Sequence, residues 1–332
     1  MTGFCSSPTF TQHDTGPHHP ERPDRIRAIY RAVTQAGLIR SADPFPDFPL
    51  DLPDLPRAPA PLAEIAPAAV DESALRLVHS AEMIDRVRQL AAAGGGMIDD
   101  DTVVSRDSFA TALLGVGAVV NSTIEVIEGR VRRAFAAPRP PGHHAEPDRS
   151  MGFCLFANLA IAVRVAQERH GVGPVAVVDF DVHHGNGTQA AFEGDPNVLF
   201  VSLHQHPRTC YPGTGFAHET GTGLGEGATL NLPLPPGTDD DGYLRVLDEI
   251  VVPRLYDFAP ELLFISAGFD AHRDDPLADM NLTDGGFYEI TRRLVSLADT
   301  CCRGRVVSVL EGGYDLGALG RSVVQHLLAL QG

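Results

Sequence analysis

From residue 157 onward, short apolar runs alternate with segments of helical period, and this alternation limits the fold more than any other feature of the chain. Runs that read as strands begin at Val175 and Glu261 and cover 198–204, 228–232 and 305–310; helices are expected over 157–170, 187–193, 240–257, 283–300 and 315–330. Consecutive strands joined through helices pair in parallel, and the small, β-branched run at 175–178 suits a strand buried on both faces. The expectation is an α/β fold, a mostly parallel sheet with helices on both faces. Ligands of such sheets sit beyond the carboxyl ends of the strands.

Those ends carry the chemistry. The strand at Val175 runs into Asp179-Phe180-Asp181-Val182-His183-His184-Gly185-Asn186-Gly187. In an extended chain Asp179, Asp181 and His183 share one face, opposite Phe180 and Val182. Carboxylate oxygen and imidazole nitrogen two residues apart can reach one divalent ion, zinc first among the candidates; the plainer reading is polar strand-end residues satisfied by caps and water. The strand from Glu261 ends at Asp270, and the one at 305–310 leads into Glu311-Gly312-Gly313-Tyr314. Asp181, His183 and Asp270 would leave zinc an open position for water. A phenol held by glycines can donate to an oxygen that becomes negative. In Arg139-Pro-Pro-Gly-His143-His144, both rings can face one cavity from a turn and divide base and acid duties, or serve the turn alone. Together these residues describe metal-assisted amide hydrolysis.

The first half is less patterned. A polar loop at 13–25 contains His13, His18 and His19, which could bind metal or hydrogen-bond to backbone, and it leads into an amphipathic helix near 24–38. Eight prolines between 43 and 67 mark 43–70 as an irregular surface excursion. Helical periodicity returns at 71–93, stops at Gly94-Gly95-Gly96, and resumes at 107–129. Asp99, Asp100 and Asp101 between these helices form a solvated loop or a rim that meets a cationic substrate. No change of class divides the chain, so residues 1–332 are read as one domain.

A formal charge of −17 opposes binding to nucleic acid or to an anionic membrane. Five cysteines without a Cys-x-x-Cys pair indicate neither a disulfide framework nor a thiolate zinc site. No signal core is evident, and no window approaches the roughly 20 apolar residues of a spanning helix, so a cytoplasmic protein is expected.

The motifs His-Pro-Glu-Arg-Pro at 19–23, Arg-Pro-Pro-Gly-His-His at 139–144, Met-Gly-Phe-Cys at 151–154, Val-Asp-Phe-Asp-Val-His-His-Gly-Asn-Gly at 178–187, Tyr-Pro-Gly-Thr-Gly at 211–215, Ala-Gly-Phe-Asp-Ala-His at 267–272 and Glu-Gly-Gly-Tyr at 311–314 resemble the zinc-dependent histone deacetylase family. That family includes bacterial histone deacetylase-like amidohydrolases and acetylpolyamine amidohydrolases. The resemblance implies an arginase/deacetylase-like fold with one zinc ion on Asp181, His183 and Asp270. It implies that Asp179 orients an electrostatic His143, and that Asn186 orients His144 as general base and then acid. Tyr314 would polarise the acyl carbonyl, while Gly152, Phe153 and Tyr211 line a channel for an acyl-lysine stem. Backbone carbonyls around Asp179, Asp181 and His183, with Ser202 and Leu203, resemble a structural potassium site. Arg25 matches a basic residue near a buried acetate-release region, and Asp101 sits where a rim aspartate grips the substrate backbone. Asn186 and Glu311 resemble the class II pattern. The implied substrate is an acylated lysine peptide or protein, or an acylated small amine; the oligomeric state is not indicated.

Three other readings compete. A binuclear ureohydrolase needs a carboxylate two residues after the metal-binding histidine, where this chain has Gly185. An acetylpolyamine hydrolase suits the acidic charge, but Leu277 stands where the eukaryotic polyamine deacetylase has a gatekeeper Glu. A silent acyl-lysine binder would not need the full set of ligands, both histidines and Tyr314.

Overall fold

The computed structural model describes residues 1–332. Its strands are β1 (Thr2–Cys5), β2 (Ala63–Ile65), β3 (Gly95–Met97), β4 (Val103–Ser105), β5 (Arg133–Ala136), β6 (Val175–Asp179), β7 (Val198–Gln205), β8 (Thr229–Leu234), β9 (Leu262–Ala267) and β10 (Val306–Leu310). Its helices are α1 (Asp24–Gln35), α2 (Glu72–Leu75), α3 (Ala81–Ala92), α4 (Ser108–Ile127), α5 (Asn158–His170), α6 (Asn186–Phe192), α7 (Asp240–Val246), α8 (Val252–Phe258), α9 (Asp284–Cys301) and α10 (Leu316–Gln331). Eight strands form one sheet in the order β2-β1-β5-β10-β9-β6-β7-β8. Every pairing within it is parallel.

All residues of β5, β6, β7, β9 and β10 are buried. Both faces of the central sheet are therefore covered, which is why these strands read as near-continuous apolar runs. In one cover α10 packs against both α1 and α9; α4 and α5 form another group, with α4 against β5 and β10. A single apolar cluster of 85 buried residues includes strand and helix side chains from both halves of the chain.

The strands and helices expected after residue 157 are present within a few residues of their expected bounds, except that the helix expected over 240–257 is divided by a π-helical turn at Leu247–Val251 into α7 and α8. Five strands of the first half lie outside the expectation, and two of them, β3 and β4, pair as a separate antiparallel hairpin. β1 and β5 insert between β2 and β10, and β2 forms the sheet edge from inside the stretch read as wholly irregular, 43–70. The helical stretch at 71–93 is broken at Arg76–Ser80, where Ser80 caps α3 through the Met83 amide. The expectation that no segment reaches spanning length also needs correction. The 20 residues of α4 are long and apolar enough by composition, but the helix is mostly buried. Its Gly115 and Gly117 let neighbouring backbone approach closely, so its apolarity serves packing.

Candidate active site

Parallel strands place their carboxyl ends along one edge, and five neighbours there, β5, β10, β9, β6 and β7, each lead into a segment with candidate residues. β6 stops at Asp179, and residues 180–185 leave regular structure. The shared strand face expected for Asp179, Asp181 and His183 is therefore not kept, and the side chains divide. Asp181 Oδ1 and Asp270 Oδ2 each lie 3.1 Å from His183 Nδ1. Ligand atoms of these three buried residues all lie within 4.8 Å of one another. Asp179 instead takes His143 Nδ1 at 3.1 Å and accepts the Asp181 amide at 3.0 Å. Behind the cluster, Phe180 and Phe269 pack 6.2 Å apart and both meet Phe287, pinning the two ligand-bearing segments from the core side.

Glycine is required where the backbone passes this cluster. A Cβ on Gly312 would stand 1.9 Å from Asp270 Oδ2, and the Gly312 amide donates to Asp181 Oδ2 at 2.7 Å. A Cβ on Gly185 would meet Asp179 Oδ2 at 2.4 Å, which leaves no room for the extra carboxylate of a binuclear centre.

The His143 and His144 rings lie 4.0 Å apart between centroids. Their turn is held by buried Glu311, whose Oε2 accepts the Gly142 amide at 2.7 Å and the His143 amide at 3.0 Å. His144 Nδ1 lies 2.8 Å from Asn186 Oδ1, while Asn186 Nδ2 donates to Glu146 Oε1 at 2.7 Å. Donation by the amide fixes its oxygen toward His144, so Nδ1 carries the proton and Nε2 keeps a free lone pair. Burial would lower the pKa of His143, but the Asp181 and Asp179 carboxylates push it up to about 10. Burial, with His143 and His183 nearby, holds His144 well below the ordinary imidazole value. Two adjacent rings are thus driven toward opposite protonation states.

Burial holds the Tyr314 phenol well above its ordinary pKa, so it remains a donor. Its ring meets Phe153 edge-on at 5.8 Å, under the Arg25 guanidinium at 5.0 Å. Arg25 is buried; Nε donates to Gly313 O at 2.7 Å, Nη2 to Glu311 O, and Nη1 to Glu21 Oε1 at 3.1 Å. Tyr211 stands edge-on to His144 at 5.1 Å and remains 40% exposed, opening the site to solvent. Gly152 takes φ of +56°, which turns the chain so that Phe153 faces Tyr314. Leu277 is 38% exposed.

The histidine loop does not gather a metal site: His13 Nδ1 pairs with Ser108 Oγ at 2.7 Å, and His19 Nδ1 accepts the Glu21 amide at 3.0 Å. His19 Nε2 donates to the backbone oxygen of Asp101 at 3.0 Å, and its ring meets Phe153 at 4.7 Å. Thr102 Oγ1 donates to Asp101 Oδ1 and accepts the Phe153 amide. His19 and Thr102 thereby tie the acidic hairpin loop to the aromatic wall, a role that spacing in the sequence does not show.

The donor set fits zinc. Asp181 and Asp270 are fully buried, and neither pairs with an arginine; their charged partners are histidines. Two carboxylates around one imidazole, away from water, call for a cation, and mixed N/O donation suits zinc. Of the residues expected to hold potassium, Ser202 donates its hydroxyl to His204 Nδ1 at 2.8 Å, because His204 Nε2 donates to Gly215 O, and its oxygen lone pairs remain open.

Residues 19–330 match the model of the histone deacetylase domain. The chain is 38% identical over its whole length to a probable deacetylase of Archaeoglobus fulgidus, covering 87% of that protein. It is 44% identical to a histone deacetylase-like amidohydrolase of Pseudomonas aeruginosa, over 79% of this chain and 69% of the relative. The fold is similar to the crystal structure of the HDA15 HD domain, with a TM-score of 0.87 at 35% identity, over 98% of this chain and 87% of that one.

Proposed function

This chain belongs to the histone deacetylase family, and from that premise we propose that it hydrolyses N-ε-acyl-lysine amides with the help of one zinc ion. The observation that carries the proposal is the buried Asp181–His183–Asp270 cluster beside the paired imidazoles. These three residues would hold the metal, and zinc when bound supplies Lewis acidity to water and to the acyl carbonyl.

The chain's own groups do the rest. Tyr211 and Phe153 flank the methylenes of the stem, and Tyr314 donates its hydroxyl proton as a hydrogen bond to the acyl oxygen. His144, unprotonated at Nε2, takes a proton from the attacking water and later delivers it to the departing amine. His143, with Asp179 on its Nδ1, supplies positive charge next to the developing anion. Acylated polyamines are the second substrate class, favoured by the charge of −17 and opposed by the apolar Leu277. Acetyl-lysine peptides, longer acyl-lysines and acetylated polyamines assayed under one condition test the proposal. Fastest turnover of an acyl-lysine peptide is expected; turnover confined to polyamines would replace it with the second reading, and peptide binding without turnover would replace it with a scaffold.

A further inference from the structure

One buried carboxylate near the site is neither a ligand candidate nor a partner of either histidine. Asp275 is 7% exposed, in the loop that follows β9 and Asp270. It makes no salt bridge, and its oxygens are occupied by backbone. Oδ1 accepts the Leu277 amide at 3.0 Å; Oδ2 accepts the Tyr314 amide at 2.7 Å and the Asp315 amide at 3.3 Å. The segment that presents Tyr314 is consequently fastened residue by residue. Gly312 donates to Asp181, Gly313 accepts from Arg25, and Tyr314 donates to Asp275. Asp315 then caps α10 through the Ala318 amide at 2.8 Å.

We propose that Asp275 is a positioning residue for Tyr314, fixing the backbone from which the phenol projects and joining it to the loop after Asp270 that carries Leu277. This rests on the carbonyl-polarising role given above to Tyr314. Two glycines precede Tyr314, so the local backbone has little stiffness of its own, and Gly313 takes φ of +116°. The hydrogen bond that the Tyr314 amide donates to Asp275 sets the direction of the Cα–Cβ vector instead. A group 1 Å out of place can cost ~100-fold in rate. In Asp275→Asn an NH2 replaces one oxygen, and in either amide orientation it faces a backbone N–H, breaking the clamp on one side.

The test is a double-mutant cycle of Asp275→Asn and Tyr314→Phe, with kcat and KM measured on an acetyl-lysine peptide and with zinc content and Tm measured on each protein. For Asp275→Asn the expected result is kcat lower by about tenfold or more, KM within about threefold of wild type, and unchanged zinc content. In the Tyr314→Phe background the same substitution should cost nothing further. Asp275→Ser, which introduces no buried amide, serves the same cycle if the Asn variant does not fold. A wild-type kcat in Asp275→Asn beside an impaired Tyr314→Phe would overturn this inference alone, as would an equal further loss in the double variant. Full activity of Tyr314→Phe would overturn the role of Tyr314 and this inference with it.

Discussion

At the residue scale, Asn186 decides where the proton sits on His144. Its amide is oriented by Glu146, so its oxygen can only accept from Nδ1, and the partner on Nδ1 is a neutral amide that adds no charge to stabilise a cation. His143 is the converse, with Asp179 as its partner. Replacing His144 by Ala is expected to lower kcat by ~100-fold or more, the range for a lost general base, while zinc content stays unchanged. Tyr314→Phe should lower kcat by ~100-fold, as removal of an oxyanion donor does, again with zinc retained. Asp181→Ala should lose the metal itself. Metal analysis beside steady-state kinetics separates the two outcomes.

At the element scale, what could be read in the sequence depended on strand length and on what a strand presents. β6, β7, β9 and β10 have five to eight residues, are buried throughout, and were legible as apolar runs with chemistry at their ends. β1, β2 and β5 have three or four residues each, too few to show a period. β2 lies among prolines, and β5 follows α4 so closely that its Arg133-Ala-Phe-Ala carries no boundary signal. Their pairing is supplied by neighbours in the sheet. The same limit applies to the site. Ligands and histidines were legible because their side chains carry the chemistry, whereas Glu311 and Asp275 act on backbone amides, which no motif spells out. Glu21 is a further case: fully buried, it pairs with both Arg25 and Arg139 and so joins α1 to the turn after β5. Glu21→Gln would leave two buried guanidinium groups short of a counter-charge. A loss of about 3 kcal/mol in unfolding free energy is expected, measured by urea denaturation of the zinc-loaded protein.

On the scale of the whole molecule, the core contains a neutral histidine whose titration reports on folding. His326 lies among Phe135, Phe180 and Phe269, with its nitrogens on Thr291 Oγ1 and Ser308 Oγ, and burial lowers its pKa to about 3. In the unfolded chain the value returns to about 6.5. Between these limits the unfolded state holds a proton that the folded state does not, so stability rises with pH and falls on acidification. Wild type should lose about 1.2 kcal/mol per pH unit more than His326→Asn between pH 6 and 4. Equal slopes in denaturant titrations would contradict that assignment.

The most direct test of the central claim is zinc titration of chelator-stripped protein, following acetate release from an acetyl-lysine peptide together with bound metal. Activity should rise from baseline and saturate at about one zinc per chain, with neither binding nor turnover in Asp181→Ala. Full turnover by metal-free protein, or saturation only at about two ions per chain with manganese-dependent urea release, would contradict it.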